Sequence, residues 1–122
     1  MQEPVSIQQL PLEMRPREKL LKHGASALTD TELLALFLRT GIKGKSVFVM
    51  AQELLDRFKG FAGLIHASAS ELKTFKGMGG DAKRSQLVAV LEMARRALTQ
   101  QLTETTVMNS PNAVKQYLQL EL

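Results

Sequence analysis

Val47, Met50, Ala51, Leu54, Leu55 and Phe58 recur at helical spacing and make one continuous apolar stripe. The pattern predicts an amphipathic helix over 47–58, with Gln52, Glu53, Asp56, Arg57 and Lys59 mainly on its wet side and Gly60 closing it. Upstream, Thr29-Asp30-Thr31-Glu32 has the spacing of a capping box, in which hydroxyl and carboxylate satisfy each other's backbone N–H. Leu33, Leu34, Phe37 and Leu38 follow at helical spacing, and Gly41 reads as the stop. Pro16 suits the first position of a shorter helix that carries Leu20 and Leu21 and ends at Gly24, with His23 where a cation meets the helix dipole.

After a turn around Phe61–Ile65, Ser68-Ala69-Ser70-Glu71 repeats the capping box. Leu72 and Phe75 point inward, and the chain breaks at Gly77-Met78-Gly79-Gly80. A long helix then runs from about Asp81 to about Thr103, with Leu87, Val90, Leu91, Ala94 and Leu98 on its buried side. Residues 1–14 hold two prolines and no period, which predicts an extended arm laying Ile7, Leu10 and Leu12 on the core. Residues 103–110 read as a linker or extended segment, and Ser110-Pro111 opens another helix with Val114, Tyr117, Leu118 and Leu122 as candidate contacts. No stretch alternates with period two for long enough to demand a strand. The expected fold is all-α: an arm over 1–14, a compact helical domain over 15–102, and from 103 to 122 a linker and the start of a further unit.

Composition narrows the chemistry. The 122 residues contain no cysteine, so disulfides, thiol catalysis and cysteine-ligated metals are excluded. His23 and His66 are the only histidines and stand far apart, so no metal cofactor is expected in this chain. No apolar run approaches membrane-spanning length and no signal peptide opens the sequence, so a cytoplasmic chain without a membrane partner is expected. Sixteen Lys and Arg against twelve Asp and Glu leave +4, a balance that suits a polyanion.

That excess has a focus. Leu72-x-x-Phe75-x-Gly77-Met78-Gly79 followed by a helix is the grammar of a helix-hairpin-helix: two apolar anchors, glycine–hydrophobic–glycine, and a second helix. Met78 plugs the turn onto the helices, and the glycines allow close approach. The backbone N–H groups of the turn and of the next helix's first turn are left for a phosphate oxygen. Lys76, Gly77, Met78, Gly79, Gly80, Lys83 and Arg84 are the candidate contacts. A weaker copy precedes it. Leu34-x-x-Phe37, then Gly41-Ile42-Lys43-Gly44-Lys45-Ser46, then the 47–58 helix nominates Gly41, Lys43, Gly44, Lys45 and Ser46. Paired, the two turns would set Arg39, Lys43, Lys45, Lys76, Lys83 and Arg84 in a basic strip that reads backbone and not bases. The plain alternative is that both turns are connectors with solvated lysines.

Catalysis finds no foothold. Gly41-x-x-Gly44-Lys45-Ser46 lacks the four-residue glycine spacing and the preceding strand of a P-loop. Beyond the second turn's helix start, Glu92 sits beside Arg95 and Arg96 at ion-pairing distance along a helix, and no nucleophile–base set emerges.

Pro16-Arg17-Glu18-Lys19-Leu20-Leu21, Gly24, Leu28-Thr29-Asp30-Thr31-Glu32-Leu33-Leu34-Ala35, Leu38-Arg39-Thr40-Gly41 and Gly77-Met78-Gly79 with Ala82-Lys83 resemble the N-terminal part of the RadC family, bacterial proteins named for DNA repair. The resemblance covers nearly all of the chain. It implies a DNA-binding helix-hairpin-helix domain joined to a C-terminal domain like the JAMM metalloproteases, whose His-x-His…Asp motif would bind zinc. None of that motif is in this sequence, so zinc and any hydrolase activity are expected in the remainder, which would also be a partner of this half. Asn109-Ser110-Pro111 through Leu122 looks like the opening of that domain. The sequence departs from the family pattern at Gly80-Asp81, an apparent one-residue insertion, and at Arg84, where a small residue is usual. The alternative function is a protein-interaction or dimerisation module.

Overall fold

The computed structural model of the chain describes residues 7–107, with side chains through Glu104. Its helices are α1 (Pro16–His23), α2 (Asp30–Leu38), α3 (Val47–Phe58), α4 (Phe61–Leu64), α5 (Ala69–Lys73) and α6 (Asp81–Val107), with single 3-10 turns at Ile7–Gln9, Leu12–Met14 and Ala25–Ala27. The fold is all-α, as the patterning predicts. Among the described residues the one strand-like feature is an isolated bridge between Ile42 and Lys45.

Local signals set most helix starts. Pro16 occupies the first position of α1, where its missing N–H costs nothing, and Gly24, at φ 90°, ends it by donating to the Leu20 carbonyl. Both capping boxes form, Thr29 with Glu32 at α2 and Ser68 with Glu71 at α5. The Lys19 ammonium lies 3.1 Å from the Glu32 carboxylate and ties α1 to the start of α2.

The predicted stripe of α3 is the centre of the core. Val47, Met50, Ala51, Leu54 and Leu55 are buried against Leu34, Ala35 and Leu38 of α2, and Leu64, Leu72, Met78, Leu87 and Leu91 complete one continuous cluster. Each such leucine withdrawn from water contributes roughly 1.5–3 kcal/mol. Phe75 packs its ring 5.9 Å from that of Phe58, with the Arg57 guanidinium 5.8 Å over its face. No helix of the described residues is long and apolar enough to cross a membrane.

Several expectations are corrected. From Ile7 to Met14 the N-terminal arm holds two 3-10 turns and is not extended: the Arg15 guanidinium donates to the carbonyls of Leu10 and Gln8 and folds it back. Ile7 reaches the core, whereas Leu12 is 60% exposed. Gly41 does not stop α2; the helix ends at Leu38, and Arg39 turns the chain at φ 72°. The turn expected around Phe61–Ile65 contains the short helix α4. The linker expected from 103 is helical through Val107. Leu98, expected on the buried side of α6, is 51% exposed, because α6 runs past the core that covers Leu87 and Leu91. The first six residues and the helix expected from Ser110-Pro111, with Val114, Tyr117, Leu118 and Leu122, lie outside the described residues.

Candidate nucleic-acid interface

The first turn closes on itself. The main chains of Ile42 and Lys45 bond each other at 2.9 and 3.0 Å, with Gly44 at φ 82° between them. Ser46 then caps α3 by accepting the Val49 N–H at 3.2 Å. Gly41 lies so tightly under this loop that a Cβ would meet the Lys45 carbonyl oxygen and come within 2.7 Å of the Ser46 carbonyl carbon and the Val47 nitrogen. The Lys45 ammonium is held 2.7 Å from the Glu53 carboxylate. Arg39 and Lys43 are exposed, and their side chains have no hydrogen-bond or ion-pair partner among the described residues.

The second turn is built the other way. The Met78 N–H donates to the Phe75 carbonyl at 3.0 Å, and the Met78 side chain, 1% exposed, plugs the core as expected. The amides that follow stay bare: Gly79, Gly80, Asp81, Ala82 and Lys83 find no acceptor among the described residues, and the first bond of the new helix runs from the Arg84 N–H to the Gly80 carbonyl. Nothing lies within 4 Å of where a Cβ would stand on Gly79 or Gly80. Five adjacent donors at the positive end of a 27-residue helix make a surface for an anion.

The two turns lie side by side. Gly77, at φ 96°, sits where a Cβ would come 2.7 Å from Met50 Cε and 3.3 Å from Ile42 Cγ2. The Lys83 Nζ crosses to the end of α2 and donates to the Thr40 carbonyl at 2.7 Å. Burial holds that ammonium below the usual lysine range. Arg84 folds back over its own turn, donating to the carbonyls of Gly79 at 2.7 Å and Met78 at 3.3 Å and pairing with Asp81 at 3.0 Å. Its side chain is only 16% exposed. Gly79, Gly80, Asp81 and Arg84 thus form one local brace.

Of the expected basic strip, Lys45, Lys83 and Arg84 are engaged inside the fold, and Arg39, Lys43 and Lys76 are left facing water. The sequence carries no signal for this division: side-chain bonds to Thr40 and Glu53 span 43 and 8 residues. Glu92 pairs with Arg95 and Arg96 at 2.8 and 2.9 Å, as its spacing predicts. No group of three or more potential metal ligands clusters among the described residues.

Comparison with known proteins places these turns in context. The profile of a family described as UPF0758 N-terminal matches residues 7–85, a span that takes in both turns. A UPF0758 protein of Variovorax paradoxus (strain S110) is 59% identical over 118 residues, covering 97% of this chain and 52% of its own length. UPF0758 proteins of Albidiferax ferrireducens and Verminephrobacter eiseniae are 56% and 54% identical, over 95% and 97% of this chain and 53% and 55% of theirs. The chain therefore spans about half the length of these curated relatives. No solved structure gives a significant match.

Proposed function

The chain belongs to the UPF0758 N-terminal family, and we propose that it is a sequence-nonspecific DNA-binding module that grips backbone phosphate through paired helix-hairpin-helix turns. The observation that carries this reading is the unbonded run of N–H groups from Gly79 to Lys83 above the buried Met78. Donors of this kind, fixed by a helix end, suit a phosphate oxygen and are blind to base identity. Lys76, Lys43 and Arg39 supply the mobile charge around them. Lys83 and Arg84 act indirectly, Lys83 by tying the second turn to Thr40 and Arg84 by bracing its own turn. Gly79 and Gly80 keep the approach open, Gly77 lets its turn pack on Met50 and Ile42, and Gly41, Gly44, Lys45 and Ser46 shape the neighbouring turn. This half performs no catalysis of its own; zinc and any hydrolase chemistry implied by the RadC resemblance fall to the other half of the full-length protein, in the cytoplasm.

Fluorescence anisotropy with a labelled 15-base-pair duplex across a salt series tests the reading. With three free cations, the log–log slope should lie near −2 to −3, at about −0.9 per phosphate neutralised. Lys43→Glu with Lys76→Glu should weaken binding at least about tenfold. A slope near zero, or unchanged affinity in that double variant, overturns it.

A second reading, a dimerisation module, is favoured by one feature: Leu98 and Leu102, one turn apart on α6, are 51% and 69% exposed. Sedimentation separates the two, because self-association through that face would be insensitive to salt and to charge reversal at the turns.

A further inference from the structure

Two clefts of about 510 and 470 Å³ flank Arg39, and they share Ile7, Gln8, Arg39 and Thr40, so they form one groove with Arg39 at its waist. One end opens past Arg17 at the first turn of α1, the other past Lys43 and the start of α3. The floor is aliphatic: Val47 and Pro16 are buried, and Ile7, Leu36 and Ile42 are half-buried. The wall at Ile7–Gln9 is braced by the Arg15 guanidinium, which donates to the Gln8 carbonyl at 3.1 Å and the Leu10 carbonyl at 3.2 Å.

Arg39 itself is held in an unusual way. Its φ of 72° and ψ of −52°, with the Thr40 N–H donating to the Leu38 carbonyl at 2.9 Å, make it the centre of a γ-turn of the strained, positive-φ kind. A residue with a Cβ persists there only when its surroundings fix it, and such strain gathers at binding sites. The next residue, Thr40, is pinned through its carbonyl by Lys83. The Arg39 side chain nevertheless stands exposed over the groove without a partner among the described residues. Among the described residues the sole acid on the lining, Glu18, is already engaged by Arg17 at 3.2 Å.

We infer that this groove is a binding site for single-stranded nucleic acid, with Arg39 clamping a phosphate and the aliphatic floor taking the attached base. The inference rests on the DNA-binding reading above and adds the form of the ligand. A guanidinium on the rim of an apolar floor matches a unit that joins an anion to a flat apolar face. A duplex keeps its bases stacked between its strands, so only an unpaired strand, an end or a flap presents both parts together.

The test uses the 122-residue chain, a labelled twelve-nucleotide oligothymidine and a twelve-base-pair blunt duplex. Arg39→Gly removes the guanidinium while glycine accepts the positive φ, so the melting temperature should not fall. The unaltered chain should prefer the single strand at least fivefold; Arg39→Gly should weaken it about tenfold and the duplex less than threefold. Ile7→Ser should weaken the single strand several-fold and leave the duplex alone, whereas Lys76→Glu should weaken both. Equal affinity for the two forms, equal losses in Arg39→Gly, or displacement of oligothymidine by oligoglutamate at matched charge overturns the groove and leaves duplex binding standing. Binding of neither oligonucleotide overturns the DNA-binding reading itself.

Discussion

At the first glycine turn, Ile42 and Lys45 bond each other's main chain, and Arg39 and Lys43 are left to solvent; at the second, Lys83 and Arg84 turn inward, and the amides of Gly79 to Lys83 are left to solvent. Both segments look alike as strings of glycine and basic residues. They differ in which backbone atoms the turn leaves open. Where carbonyls are stranded, at Thr40, Met78 and Gly79, nearby cations are consumed in satisfying them. Where N–H groups are stranded, an anion is invited. A count of lysines and arginines therefore measures neither the charge offered to a ligand nor its position. The first turn presents two mobile cations, and the second presents a run of fixed dipoles beside one, Lys76.

The largest effect should separate the turns by their tightness. In Gly41→Ala the new Cβ would press on the Lys45 carbonyl and lie 2.7 Å from the Ser46 carbonyl carbon and Val47 nitrogen, all backbone with no flexible end to yield. Overpacking of that kind should cost roughly 3 kcal/mol. Gly79→Ala meets nothing within 4 Å and should stay within about 0.5 kcal/mol of the original. Urea denaturation of the two variants measures both, and similar losses would dissolve the distinction between a closed turn and an open one.

A middling effect should separate the lysines. Lys83→Met leaves the Thr40 carbonyl without its donor and should cost about 1 kcal/mol, with little change in the salt dependence of DNA binding. Lys43→Met should leave stability within about 0.5 kcal/mol and lower the salt slope by about one. The reverse assignment would mean that Lys83 contacts the ligand and Lys43 the protein.

What the sequence made legible was local. The stripe of α3, the Pro16 start, both capping boxes and the burial of Met78 depend on residues within a turn or two of one another, and each is found where the spacing puts it. The pairing of Lys83 with Thr40 and the contact of Gly77 with Met50 and Ile42 join distant segments, and no periodicity encodes them. Arg39 was hidden for another reason: glycine is the usual residue at positive φ, so Gly41 drew the helix stop and an arginine two residues earlier performs it. Leu98 failed differently, because a period shows which face of a helix is apolar and not whether a neighbour reaches that far.

The smallest effect concerns the helices that lead into the turns. Glu32 at the entry to α2 and Glu71 at the entry to α5 are both held below the usual glutamate range, first by the backbone N–H of their capping partners, Thr29 and Ser68. Glu32 has in addition the Lys19 ammonium at 3.1 Å, whereas Glu71 is fully at the surface with only the distant charge of Arg57. A carboxyl whose folded value is depressed binds protons more readily in the unfolded chain, so its contribution is whole above the unfolded value and drains away over the acid window in which pH falls from there through the lower folded one. Glutamine keeps part of the cap but does not titrate. Glu32→Gln should therefore flatten the acid limb of the stability curve more than Glu71→Gln, read as urea midpoints over that window. If Glu71→Gln flattened it more, the entry to the second turn would be the more strongly anchored of the two, and the open amides would rest on the firmer support.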